Sequence, residues 1–290
     1  MSRHVLVTGG AGFIGSHVVD AYVERGWRVT VVDDLSTGDR GNVNPRATFI
    51  EADVRSAPLD EIRPDVISHH AAQMDVRRSV DDPLFDANVN ILGSLALLQK
   101  ASELGVKRFI FASTGGAIYG EPQFAPQTEQ HPTNPLSPYG CAKLAVEHYL
   151  NYFRVVHGLP TIALRYANVY GPRQNSKGEA GVIAIFADRL QHNAKVIING
   201  DGQQTRDFVY VADVVAANMK VTESADAGPL NVGTGVETSI NALAKLIGAR
   251  AEHGPAKTGE QRRSVLASQF GRTKLADGLR ETLAWFNRSR

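Results

Sequence analysis

Cysteine is nearly absent from this chain: Cys141 stands alone among 290 residues. One thiol excludes an intramolecular disulfide and any metal centre built on several cysteines. An excess of charge of either sign is lacking too, with 31 basic residues against 30 acidic ones and a net charge of +1. Nothing in that balance draws nucleic acid or a membrane surface, so neither is an expected partner and any anion site must be local. No apolar run approaches the roughly 20 residues of a bilayer-spanning helix. The N-terminus enters Val5-Leu6-Val7 with no secretory hydrophobic region, and a cytoplasmic enzyme is the expectation. No internal repeat or low-complexity tract stands out. With 43% hydrophobic and 21% charged residues, the chain can bury a substantial core.

What is present is an alternation. Short apolar runs occur at His4–Thr8, Arg28–Val32, Ala47–Glu51, Val66–His69, Phe109–Ser113 and Thr161–Tyr166, with helical patterns at Gly12–Arg25, Leu84–Leu104 and Gly140–His157. Strands alternating with helices predict parallel pairing through right-handed crossovers, hence an α/β, Rossmann-type doubly wound sheet. The stretches Glu121–Pro138 and Gly171–Gly181 read as loops. Beyond the second the alternation fades, which predicts a smaller, discontinuous α/β substrate domain. The expected division is 1–165 for the dinucleotide-binding domain, with a returning segment at about 203–232, and 166–202 with 233–290 for the substrate domain.

The first strand runs into Gly9-Gly10-Ala11-Gly12-Phe13-Ile14-Gly15 and then a helix. Glycines there permit a tight turn and close approach of backbone to a pyrophosphate, which the helix N-terminus favours electrostatically. The pattern alone is weak evidence, but its context is right, because the next strand ends in Val31-Val32-Asp33-Asp34. Asp33 then stands where a carboxylate accepts a ribose diol and repels a 2′-phosphate, favouring NAD over NADP. Asp53-Val54, after the third run, suits the adenine. His69-His70-Ala71-Ala72-Gln73, after the fourth, presents small residues to the cofactor. The adjacent histidines point to opposite faces of a strand and have no third ligand at useful spacing, so they read as packing residues and no metal site is expected.

Pro138-Tyr139-Gly140-Cys141-Ala142-Lys143 opens a helix, and residues four apart share a face. A tyrosine phenol, with a reference pKa of about 10, needs a nearby cation to act as a base near neutrality. Lys143 and the positive nicotinamide ring of the cofactor are the expected cations. The Tyr139–Lys143 pair is common by chance and gains meaning from its place after the fifth strand, beside Ser113-Thr114.

Taken together, Thr8–Gly15, Asp33, His69–Gln73, Ser113–Gly120, Tyr139–Lys143 and Leu164–Arg173 closely resemble the nucleotide-sugar epimerase and dehydratase branch of the extended short-chain dehydrogenases. Within it the chain is most similar to the UDP-glucose 4-epimerases, particularly in Ala112-Ser113-Thr114-Gly115-Gly116-Ala117-Ile118-Tyr119-Gly120, and the likeness covers roughly residues 4–265. The resemblance implies NAD as cofactor and a UDP-sugar as substrate. It assigns Tyr139, Lys143 and Thr114, with Ser113 as fallback, to catalysis. It implies a cofactor set of Gly9, Gly12, Phe13, Ile14, Gly15, Asp33, Asp34, Leu35 and Ser36, continued by Asp53, Val54, His70, Ala71, Ala72, Gln73, Asn88, Ala112 and Tyr166 beside the Tyr–Lys pair. On the substrate side it implies Asn168 and Arg206 for the diphosphate, Val182, Ile197 and Asn199 around the uracil, and Lys257 and Arg263 as further phosphate ligands. An ion pair with Asp207 is the alternative for Arg206.

Dehydratases of the branch carry an Asp-Glu pair after the active-site threonine, and related decarboxylases a nearby Glu; this chain has Gly115-Gly116. Reversible hydride transfer, and so 4-epimerisation, fits better than chemistry needing an extra acid and base. Rivals are an epimerase for UDP-N-acetylglucosamine or UDP-glucuronate, and a Rossmann protein that senses NAD without turnover. The small Ser264 lies near the position that gates an N-acetyl group in relatives. The chain departs from the family after Ser264 and at Ile247–Glu252, where segments read as shortened, and Lys257 replaces the usual arginine. The resemblance also implies a homodimer formed as a four-helix bundle. Leu92, Leu95, Leu98, Val146, Tyr149 and Leu150 could serve it, or equally the internal core.

Overall fold

The computed structural model describes residues 3–176, 181–256 and 261–288. Its first half runs β1 (His4–Thr8), α1 (Phe13–Glu24), β2 (Arg28–Asp33), β3 (Thr48–Glu51), α2 (Leu59–Ile62), β4 (Val66–His69), α3 (Val76–Asp81), α4 (Pro83–Ala87), α5 (Gly93–Glu103), β5 (Arg108–Thr114), α6 (Gly115–Ile118), α7 (Pro138–His157) and β6 (Thr161–Tyr166). The second half adds β7 (Asn168–Tyr170), α8 (Val182–Gln191), β8 (Val196–Asn199), β9 (Thr205–Tyr210), α9 (Val211–Glu223), β10 (Gly228–Val232), β11 (Glu237–Ser239), α10 (Ile240–Leu246), β12 (Ala251–Gly254) and α11 (Leu275–Arg288).

Seven parallel strands form the main sheet in the order β10-β6-β5-β4-β1-β2-β3. Alternate side chains go to opposite faces. Val5, Val7, Val29, Val31, Ile110 and Leu164 join Val18, Val19 and Tyr22 of α1 and Val214 and Ala217 of α9. Leu6, Ile67, Phe109, Phe111 and Ala163 join Leu97, Leu98 and Ala101 of α5 and Val146, Leu150 and Phe153 of α7. Burial on both faces is why these strands read as unbroken apolar runs. The strand order reverses at β1, whose Thr8 lies between Val32 of β2 and His69 of β4. The crevice beyond those carboxyl ends is where this architecture takes ligands.

The pattern over Leu84–Leu104 is not one helix. Asp82 caps α4 by accepting the Phe85 N–H at 2.9 Å, and a π turn over Asn88–Leu92 separates α4 from α5. The π turn inserts one residue into the helical register. It turns Asn90 inward, where its side chain bonds the Gln73 N–H and C=O at 2.9 Å each.

β9 lies within the expected returning segment yet pairs with β7 and β11 in a separate three-stranded sheet. The elements that do return are α9, joined to α1 by a 2.6 Å bond between Thr222 Oγ1 and Tyr22 Oη, and β10, which forms the sheet edge. Tyr170, Ile183, Phe186, Ile198, Phe208, Leu243 and Leu279 make a second core beneath α8, α10 and α11. Among the described residues no helix is long and apolar enough to cross a membrane.

Candidate active site

A cavity of about 640 Å³ opens at the switch point and reaches from the glycine loop to β7 and α8. Two glycines make its floor possible. Gly9 has φ +70°, and a β-carbon there would meet Ala71 N at 2.5 Å; one on Gly15 would meet Gly9 O at 2.1 Å. α1 starts at Phe13 with no side chain capping it, so its first N–H groups present partial positive charge to the cavity. Gly9, Gly12, Phe13, Ile14 and Gly15 all line it.

Asp33 lines the same space. Its Oδ2 accepts the Ala11 N–H at 3.0 Å and its Oδ1 the Leu35 N–H at 2.9 Å. Burial pushes its carboxyl above the usual range, against the pull of those two N–H donors, and Asp34 adds to the rise. Asp34 takes the Ser36 N–H and hydroxyl, and both residues line the cavity. Leu35 does not; with φ 57° it makes the turn that directs its N–H to Asp33. Asp53 and Val54 line the far end, and Arg55 grips the Asp53 carboxylate and holds its pKa low.

The histidines part as expected on opposite faces. His69 is packed away, its Nδ1 2.6 Å from Thr8 Oγ1 and its Nε2 3.0 Å from Ser94 Oγ. His70 lines the cavity with its ring stacked on Tyr166 at an interplanar angle of 12°. Burial lowers its pKa to about 3, the Lys143 charge adding to the effect, so the ring is neutral. Among the described residues no group of three metal-ligating side chains occurs. Ala71, Ala72 and Gln73 follow along the wall.

Tyr139 and Lys143 stand in the first two turns of α7, which Ser137 caps by accepting the Gly140 N–H at 3.1 Å. Both line the cavity. The Lys143 Nζ lies 5.8 Å from the Tyr139 ring centre and donates to Ala112 O at 3.0 Å. Burial brings the Lys143 pKa down to about 8, partly opposed by the Asp86 carboxylate. Lys143 by itself does not depress the Tyr139 pKa. Burial pushes the phenol above its ordinary value, and Asp86 pushes further. The ammonium points to a carbonyl, and the buried Asp86, held by Gln73 Nε2 and Asn90 Nδ2 at 2.9 Å each, is the anion beside the pair.

Ser113 and Thr114 both line the cavity, but the Ser113 hydroxyl donates to Glu147 Oε1 at 2.6 Å. Thr114, the next residue along β5, faces the other way. Ala112 and Tyr166 complete this wall, the Tyr166 hydroxyl accepting from Asn218 Nδ2 at 2.8 Å. Leu266 packs its side chain onto Gly115.

On the substrate side Asn168 and Val182 line the cavity, and Asn168 Oδ1 is buried without a hydrogen-bond partner. Ile197 is 53% exposed on β8, and neither it nor Asn199, Arg206, Arg263 or Ser264 lines the cavity. Arg263 instead forms a two-point ion pair with Glu237 at 3.0 and 2.7 Å. The Asp207 carboxylate accepts from Thr234, Gly235 and Leu266, while Arg206 donates to Thr205 O at 2.8 Å. Lys257 lies outside the described residues. Asn88 is exposed, because the π turn gives the inward position to Asn90. Sequence reasoning also missed Asp86, and Arg78, which lines the cavity over the Phe85 ring at 4.1 Å.

The family model described as the NAD dependent epimerase/dehydratase family matches residues 5–233. The chain belongs to that family. It is 43% identical over 305 residues to the UDP-glucose 4-epimerase of Mycolicibacterium smegmatis, covering 97% of each chain. The UDP-glucose 4-epimerase of Thermotoga maritima, solved with UDP-glucose, superposes with a TM-score of 0.96 at 45% identity, covering 99% of each chain. That of Thermus thermophilus, solved with NAD, superposes at 0.93 and 41% identity, covering 99% of this chain and 100% of the other. The cofactor of this family member is NAD. The residues present fit it: two glycines where a β-carbon would collide, an uncapped helix start and Asp33 at the second strand end.

Proposed function

We propose that this chain is an NAD-dependent UDP-glucose 4-epimerase, interconverting UDP-glucose and UDP-galactose through a 4-keto intermediate in the cytoplasm, a setting that its lone cysteine suits. One observation carries the reading. Thr114, Tyr139 and Lys143 meet the glycine cradle in a single cavity, and the two residues after Thr114 are glycines rather than acids.

Bound NAD supplies a hydride acceptor at the sugar's carbon 4 and, in its oxidised form, a positive charge beside the phenol. Tyr139, as phenolate, takes the proton of the 4-hydroxyl, and Thr114 holds the same oxygen and relays that proton. Lys143 keeps the local potential positive and anchors the ribose. Tyr139 returns its proton once the ketone has turned and been reduced on its other face. In this reading the Asn168 side-chain N–H donates to the diphosphate, and Val182 offers an apolar edge to the uracil. The absence of an acid beside Thr114 leaves carbon 5 untouched, which separates this site from a dehydratase.

The assembly in this reading is a homodimer built on α5 and α7. Leu92, at the end of the π turn that leads into α5, and Tyr149 of α7 are 57% and 41% exposed, whereas Leu98, Val146 and Leu150 belong to the internal core. The deciding experiment is incubation with a panel of UDP-sugars and chromatography of the products. UDP-galactose from UDP-glucose is the expected result, and a 4-keto-6-deoxy product would refute the assignment.

A further inference from the structure

Glu147 lies one turn beyond Lys143 and two beyond Tyr139 on α7, yet the chemistry above leaves it unused. Its Oε1 accepts the Ser113 hydroxyl at 2.6 Å and Arg165 Nε at 3.0 Å, while Oε2 accepts an Arg165 terminal nitrogen at 2.6 Å. Both charged side chains are buried, 8% and 5% exposed. Ser113 and Arg165 face each other across β5 and β6, and the next pair in that register is Thr114 and Tyr166. Glu147 therefore grips two neighbouring strands at the row next to Thr114 and Tyr166. The tie goes on through Arg165, which donates to the Tyr119 hydroxyl at 2.7 Å, and that hydroxyl donates to Asn231 Oδ1 at 2.8 Å. Tyr119 ends the Gly115–Ile118 turn, and Asn231 belongs to β10.

We propose that Glu147 is a positioning residue for hydride transfer: through Ser113 and Arg165 it sets the place of Thr114 relative to Tyr139. The inference rests on the epimerase reading. Stability alone is a poor reason for such a group, since a buried ion pair is often no better than apolar side chains of equal volume. What the carboxylate adds is direction. It bonds a hydroxyl and a guanidinium on adjacent strands from the helix that carries Tyr139 and Lys143. The helix is thereby held to β5 at two successive residues, by Lys143 to Ala112 and by Glu147 to Ser113.

The test is a double-mutant cycle of Ser113→Ala and Glu147→Gln, with kcat and KM for UDP-glucose measured per folded molecule alongside Tm. Ser113→Ala removes only the hydroxyl tie. It is expected to lower kcat about tenfold with KM within about twofold, and to move Tm by no more than about 3 °C. Glu147→Gln also strands Arg165 and is expected to lower kcat further. The double variant should lose no more than Glu147→Gln alone, because the two changes break one tie. Losses that multiply would overturn the inference, since Ser113 would then act independently of Glu147. A Ser113→Ala protein with wild-type kcat, beside an active wild type, overturns it alone; if Glu147→Gln does not fold, this arm decides. A wild type that converts no UDP-sugar overturns both this inference and the epimerase reading.

Discussion

Leu266 lies across Gly115 so closely that a β-carbon at position 115 would stand 2.4 Å from its Cδ1. Leu266 is held from behind, its N–H donating to the buried Asp207 carboxylate at 3.2 Å. A side chain at position 115 would therefore have to displace the Leu266 methyl groups, so packing joins the absence of an acid there. Gly115→Ala is expected to cost about 1–3 kcal/mol through overpacking. Gly115→Ala combined with Leu266→Ala should regain part of that loss. Urea denaturation of the three variants checks this, and a Gly115→Ala protein as stable as the wild type would refute it.

Tyr139→Phe keeps the ring that lines the cavity and removes the group that carries the proton. Turnover should fall by at least about a hundredfold, while NAD stays bound. The two readouts are product formation from UDP-glucose and the cofactor released when the variant is denatured. Unchanged turnover would refute the proposed base.

Lys143 gives a prediction in pH. Its folded pKa is about 8, below the ordinary 10.5. The unfolded chain thus binds the proton more tightly, and stability rises as pH climbs from about 8 to about 10.5. Below that window both states are protonated and the full cost of burying the charge is present. That cost is roughly 3 kcal/mol. Lys143→Met should therefore be inactive yet more heat-resistant than the wild type at pH 7, with the advantage shrinking by pH 10. A constant difference in Tm across that range would contradict the assignment.

Asp33 holds Ala11 and Leu35 through its two oxygens and presents the same carboxylate to the cavity. Asp33→Ala should weaken NADH binding by roughly 10–100-fold, the worth of hydrogen bonds to a charged group. NADPH, which the carboxylate repels, should lose less, so the preference narrows. Fluorescence titration with both nucleotides measures it, and an unchanged preference would remove Asp33 from the selection of cofactor.

Much of the dinucleotide half is legible because its strands are buried on both faces. The runs His4–Thr8, Val66–His69 and Thr161–Tyr166 end where β1, β4 and β6 end. Local patterns fail where partners come from far along the chain. Nothing around Arg263 announces Glu237, and nothing around Glu147 announces Ser113 and Arg165. Asn88 rather than Asn90 is the sequence's candidate because helical periodicity cannot register the π turn that makes Asn90 the inward residue. The Tyr139 environment escapes the sequence for the same reason, since Asp86 reaches the pair only through the fold of α4 against α7.

The late arrival of β10 has a consequence for synthesis on the ribosome. The outermost strand of the main sheet, and with it the Asn231 amide that fixes Tyr119, exists only after residue 232 has been made. Until then β6, buried along its whole length in the finished protein, has a bare edge able to pair with another chain. The nascent protein therefore carries an open sheet edge while β7, α8, β8, β9 and α9 are being made.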